Sequence, residues 1–97
     1  MGMVTSFHLA AWLAAADVGP AHVLMYRLGR LHRRTGKPWT QREAAAAMLC
    51  AERTWRSWES GEQRVPRWAA RTIARHLNER RRAAARRQAR QAPRSTT

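Results

Sequence analysis

Cysteine is almost missing from this 97-residue chain, where Cys50 stands alone. One thiol excludes an internal disulfide, and with four scattered histidines it argues against a structural zinc site, which needs four clustered ligands. Acidic residues are nearly as scarce. Six carboxylates face 19 lysines and arginines, leaving a net charge of +13. No apolar run reaches the roughly 20 residues of a membrane-spanning helix. Phe7 to Ala16 is apolar but has no basic region before it, unlike a signal peptide. Strand-favouring residues are few and alanine is abundant, so an all-α domain is expected. Enzymatic machinery is lacking too: no paired carboxylates, no supported cysteine–histidine or serine–histidine arrangement and no phosphate-binding glycine loop. His8, His22, His32 and His76 have no visible partners in the sequence. The expectation is a non-enzyme with no cofactor, no metal and no small-molecule ligand. What is present is cationic charge, and it points to a polyanionic partner such as DNA, RNA or an acidic surface.

Punctuation along the chain divides it into helices. Thr5 or Ser6 could cap a helix through Phe7, Leu9, Ala10, Trp12 and Leu13, which Val18-Gly19-Pro20 would break. A second helix is predicted from Pro20 to Arg34. Leu24, Leu28 and Leu31 recur there at i, i+4 and i+7 as its buried stripe. Thr35-Gly36-Lys37-Pro38 is a stop. Thr40 followed by Glu43 is a capping-box pattern opening a helix to about Leu49, with Ala44, Ala47 and Met48 inward. After a short break at Cys50-Ala51, another helix spans Glu52 to Ser60 and ends at Gly61. Pro66 begins the last helix, on which Ala69, Ile73, His76 and Leu77 close the core. Past Asn78 apolar anchors vanish and arginines dominate.

Two short helices joined by a tight turn suggest a helix-turn-helix. At about 100° per residue, the helix from Glu52 divides into two faces. Trp55, Trp58 and Thr54 fall on the inner one, and Glu52, Arg53, Arg56 and Ser57 on the outer one. The outer chemistry suits a major groove. Arg53 and Arg56 can each fork onto guanine O6 and N7, Glu52 can accept from cytosine, and Ser57 can contact a base or a phosphate. Cys50 reads as core, and Trp39 as a staple between the second and third helices. Trp68 is expected to be partly exposed.

The stretch Thr40-Gln41-Arg42-Glu43-Ala44-Ala45 through Trp58-Glu59-Ser60-Gly61 resembles the Cro/CI-type (Xre-family) helix-turn-helix regulators, with the pattern TQxExA…WExG in register. Arg64-Val65-Pro66 resembles that family's loop before its fourth helix. The likeness covers about Pro20 to Leu77. It implies that Glu52, Arg53, Arg56 and Ser57 read bases. Gln41 would bond a phosphate or brace a base-reading side chain. Arg64 and Arg67 match a loop that grips the DNA backbone, and Ala45 would allow close helix approach; beside the resemblance, Thr40, Gln41, Arg42 and Arg71 complete the expected backbone contacts. The chain departs from the family at Leu49, where glycine is usual, and at Ala51, where a serine or threonine cap is usual. A non-glycine residue at positive φ is costly and alanine supplies no cap, so a turn of altered shape is expected.

From Arg64 onward there are eleven arginines and one acid, Glu79. Arg67, Arg71 and Arg75 stand four apart, a stripe suited to a phosphate backbone. The expected architecture is all-α: a compact four- to five-helix bundle with a helix-turn-helix and a basic C-terminal extension. Residues 1–19 form an N-terminal helical segment, 20–78 the helix-turn-helix domain, and 79–97 an Arg-rich helical extension with a disordered tail. The expected partner is double-stranded DNA, bound by a homodimer on an inverted repeat, because one recognition helix reads too few base pairs. Phe7 to Leu13 and the exposed last helix are the candidate dimer surfaces. The expected output is repression by blocking polymerase, because nothing in the sequence resembles a ligand-binding or activation domain, and the expected compartment is the bacterial cytoplasm or nucleoid. In size the chain also resembles small phage regulators such as the anti-CRISPR-associated repressors, which autorepress their own operons. Two other readings stand beside this one. One is a non-transcriptional nucleic-acid module, terminase small-subunit-like or RNA-binding; the other is a small protein-interaction inhibitor.

Overall fold

A computed structural model describes residues 12–91. Helix α1 (Pro20–Leu28) carries proline in its first turn, where the missing N–H leaves no bond unmade. The His22 Nδ1 accepts the Gly19 N–H at 2.9 Å and completes the start of the helix. The helix stops at Leu28 rather than at Arg34. Beyond it the chain folds back on itself: the Trp39 N–H donates to the Arg30 carbonyl at 2.8 Å and the His32 N–H to the Lys37 carbonyl at 2.9 Å. These bonds consume groups that a longer helix would need for its own ladder. Gly36, at φ 70°, supplies the left-handed residue of the return.

The face that α1 buries also differs from the expected stripe. Leu24, Leu28 and Leu31 are 38%, 45% and 55% exposed, while Val23 and Tyr26 are buried. The reason lies one residue before Leu28. Arg27 shares a face with Val23 and Tyr26 at i, i+3 and i+4, and its guanidinium turns inward to the Glu59 carboxylate. A charged residue on the inner face is invisible to a count of leucines.

Helix α2 (Gln41–Ala47) starts with the expected capping box. Thr40 Oγ1 accepts the Glu43 N–H, and Glu43 Oε1 accepts the Thr40 N–H at 2.7 Å. Ala44, Ala45 and Met48 are buried, whereas Ala47 is exposed, so Ala45 takes the inward place expected of Ala47. Helix α3 (Glu52–Ser60) ends at Gly61, whose φ of 83° requires the left-handed conformation. Between α2 and α3, Leu49 itself adopts φ 58°. The turn therefore keeps the conformation that glycine would supply, and backbone strain takes the place of the altered shape expected from the sequence. Ala51 caps α3 with no side-chain hydrogen bond.

Helix α4 (Arg67–Gln91) runs unbroken for 25 residues through the composition change at Asn78. Its Ala69, Ala70, Ile73 and Leu77 cover the aromatic centre formed by Tyr26, Trp55 and Trp58. The Trp55 and Trp58 rings stand 5.7 Å apart, and Trp68, half-exposed, meets Trp58 edge-on. The buried Asn78 receives the Leu13 N–H at 2.8 Å and donates to the Leu13 carbonyl at 2.9 Å. The side-chain amide thus pairs with the chain as a neighbouring strand would. Trp12 and Leu13 are not helical, Ala14 is extended, and one 3₁₀ turn follows at Ala15–Asp17. The remainder of the expected first helix lies outside the described residues, as does the tail from Pro93. The all-α bundle expected from composition is what the chain adopts.

The inner arrangement depends on the Glu59 carboxylate. It accepts from Arg27 Nε at 2.6 Å and Nη2 at 3.1 Å, from Gln41 Nε2 at 3.0 Å and from Trp55 Nε1. Arg27 Nη1 continues to the Trp39 carbonyl at 3.0 Å. Two substitutions should move stability in opposite directions in urea denaturation. Glu59→Ala leaves the largely buried Arg27 uncompensated and should cost about 3 kcal/mol. Leu49→Gly removes backbone strain at a side chain that packs on nothing and should add about 1 kcal/mol.

Candidate nucleic-acid interface

The outer face of α3 is organised from beneath. A carboxylate only accepts hydrogen bonds, so Glu59 fixes which end of the Gln41 amide turns inward: Nε2 faces Glu59. Gln41 Oε1 is then left to accept from Arg56 Nε, at 3.3 Å. Arg56 Nη2 also reaches Glu52 at 2.6 Å, one helical turn earlier. The Arg56 guanidinium is thereby held on two sides in the open, and its Nη1 has no protein partner among the described residues. Arg53 is exposed on the same helix and makes no hydrogen bond or ion pair among the described residues. Glu52, Arg53, Arg56 and Gln41 therefore share one surface beside the start of α2. Thr40, whose hydroxyl and amide serve the capping box, and the exposed Arg42 border it in sequence.

Ser57 does not belong to this face. It is buried, and its hydroxyl donates toward the Thr54 carbonyl at 2.7 Å and Gln63 Oε1 at 3.0 Å. Residue 57 sits near the boundary between the two faces of α3, and the Glu62-Gln63 loop folds back over it, with the Gln63 N–H donating to the Ser57 carbonyl at 3.1 Å. Its oxygen ties the helix to that loop instead of facing outward.

The remaining cationic positions form separate surfaces. Arg64 and Arg67 edge a groove with the Ala15–Asp17 turn. Arg71 and Arg75 edge another with Trp12, Trp68 and Arg82. Arg82 covers the exposed Trp12 ring at 5.1 Å. The candidate site residues thus fall into a braced cluster on α3 and α2 and an arginine stripe along α4.

Sequence reasoning missed the partners of three histidines. His22 caps α1, His32 Nε2 meets Glu43 at 2.7 Å, and His76 stands edge-on to Tyr26 beside Arg30. It also missed Glu59 and Arg27 as organisers. The only signal for Glu59 was its place in WExG, one turn beyond Trp55. Cys50 is half-buried against the core, and burial pushes its thiol above the usual range. No helix among the described residues is long and apolar enough to cross a membrane.

Comparison with protein-family models, with curated proteins and with solved structures found no match.

His76, Glu59 and, through its capping bonds, Glu43 make stability depend on acid. Burial, followed by the charges of Arg30 and Arg80, holds His76 below its ordinary value of about 6.5, against a smaller opposite pull from Glu79. The unfolded chain then binds the extra proton first, so this contribution is complete above about pH 6.5 and fades as the pH drops toward the folded value. For Glu59, burial opposes the charge, but hydrogen bonds from Arg27, Gln41 and Trp55 outweigh it and keep the carboxyl below its ordinary 4.5. Its contribution is complete above about pH 4.5 and is lost on further acidification. Thermal unfolding followed from pH 8 to pH 3 should show two successive losses of Tm. His76→Gln should remove the first loss and leave the second.

Proposed function

We propose that this protein is a sequence-specific double-stranded DNA-binding regulator that reads a major groove with the outer face of α3. The observation that supports this reading best is the Arg56 guanidinium, held open by Glu52 and Gln41 beside the exposed Arg53. A fixed fork of donors is what bidentate recognition of guanine requires, because a pre-organised arginine loses less entropy on contact. Glu52 is placed to accept from a cytosine amino group or to hand Arg56 over to the base. Thr40, Gln41 and Arg42 sit where the start of α2 would meet a phosphate. Arg64, Arg67 and Arg71 would add sequence-independent attraction.

Operation as a dimer on an inverted repeat supplies the missing specificity, since one such helix reads only a few base pairs. The exposed Trp12 and Trp68, at 59% and 53%, offer one apolar surface for a second subunit, and the exposed Leu24, Met25 and Leu28 of α1 offer another. The output would be repression by exclusion of polymerase, in the manner of an autoregulator of a phage or mobile-element operon acting in the bacterial cytoplasm.

Selection of bound duplexes from a random pool should recover an inverted repeat. Against that sequence, Arg53→Ala and Arg56→Ala should each weaken binding about 5- to 150-fold, the equivalent of about 1–3 kcal/mol, with the helical circular dichroism intact. Raising salt from about 50 to 200 mM should cost about 10³–10⁵-fold if six to ten phosphates are contacted. A footprint independent of sequence would instead favour a non-transcriptional nucleic-acid module. Unchanged affinity in both arginine variants would favour a protein-interaction role for the α3 face.

A further inference from the structure

A second cationic site lies apart from the outer face of α3, in the cleft between the end of α1, the return loop and α4. Arg30 is its centre. The guanidinium carbon stands 4.5 Å from the Trp39 ring centroid and 5.5 Å from that of Tyr26. The negative faces of both rings attract the charged group without using its N–H donors. One of them approaches His76 Nδ1 at 3.4 Å. Arg80 enters from α4 and lies against Gly29, with Nη1 donating to the Met25 carbonyl at 3.2 Å. His32 and Arg33 form the rim. No aspartate or glutamate lines the cleft. The nearest acids are committed elsewhere or act weakly: Glu43 holds His32 Nε2 and the Thr40 cap, and Glu79 offsets only part of the cationic field at His76.

Two guanidiniums and an imidazole thus converge on one cleft of about 570 Å³ with no carboxylate among its walls. Such a cluster repels itself, and the simplest complement is a compact anion with several acceptor oxygens.

We propose that this cleft binds a phosphate group through Arg30, Arg80 and His76, carried either by a nucleic-acid backbone or by a free mononucleotide. Arg30 presents its donors from a guanidinium held beside the Trp39 and Tyr26 rings. Arg80 adds a second fork from the opposite wall. His76 becomes a third donor when protonated, and a bound anion favours that form by cancelling the fields of the two arginines. The half-buried Trp39 forms part of the wall and supplies an apolar surface beside the phosphate position. The site does not depend on base reading by α3, since Arg53 and Arg56 are not among its walls.

The test is an NMR titration of the His76 imidazole in the full chain, with inorganic phosphate as probe and chloride at equal ionic strength as control. Phosphate should displace the His76 resonances and raise their titration midpoint by about one pH unit, a tenfold preference for the protonated form. Arg80→Gln, at an exposed position, should reduce the response at least several-fold without unfolding the protein, and Arg30→Gln should abolish it. Arg30→Lys should restore part of the charge effect but not the affinity. The Arg53→Ala/Arg56→Ala variant should respond as the parent does, which separates this site from the α3 face. A response to short duplex but not to a mononucleotide identifies the backbone as the source; the reverse identifies a free nucleotide. An unchanged His76 midpoint in phosphate, relative to chloride, overturns the proposal, as does a full response in both arginine variants.

Discussion

The Glu59 carboxylate is the point through which the helices are oriented. It gathers donors from α1, from the first residue of α2 and from its own helix α3. An ion pair shielded this far from water contributes little net stability over a well-packed apolar substitute, because desolvation offsets much of the attraction. Its effect here is geometric. Arg27 must face inward, which sets the rotation of α1; Gln41 must present its oxygen outward, which sets the position of Arg56. A core made only of alanine and tryptophan contacts would allow α1 to turn and the outer arginine to wander. Among the described residues no buried side-chain nitrogen or oxygen lacks a hydrogen-bond partner, so this polar centre is complete.

That same centre explains which features were legible in the sequence. Local chemistry was. Thr40 and Glu43 announced their capping box, Gly61 the end of α3, and the spacing of Trp55 and Trp58 the inward side of that helix. These follow from hydrogen-bond geometry within a few residues. The buried face of α1 was not legible, because its choice between the leucine stripe and the Val23–Tyr26–Arg27 stripe was made by a carboxylate 32 residues away. Ser57 was misplaced for a related reason. Helical angle alone puts it near the boundary between faces, and the returning loop at Gln63 covers it. His32 and His76 lacked visible partners because Glu43 and Tyr26 reach them only after the chain has folded, whereas the Gly19–His22 cap spans three residues and was overlooked because histidine is not among the usual capping side chains.

Leu49 shows a different balance. A leucine in the left-handed region is strained, and at 91% exposure it recovers nothing by burial. The turn forms nevertheless, because α2 and α3 are held together by Ala45, Met48 and the Trp55 side chain and leave the connecting residues one path. Tertiary packing thus imposes a conformation that local preference opposes. The outer face of α3 inherits its direction from that imposed turn.

Past the core residues Ala69, Ala70, Ile73 and Leu77, helix α4 is tied to the rest of the protein by two clamps within one turn: Asn78 on the Leu13 backbone and Arg80 on the Met25 carbonyl. Beyond Asn78, thirteen residues continue to Gln91, a rod about 20 Å long at 1.5 Å per residue. The clamps therefore act as a fulcrum. A pull on the arginines near the tip becomes a torque at the end of α1, where Arg80 lies against Gly29. Whatever holds the far end of the rod is mechanically connected to the helix that orients Arg27, and through it to Glu59.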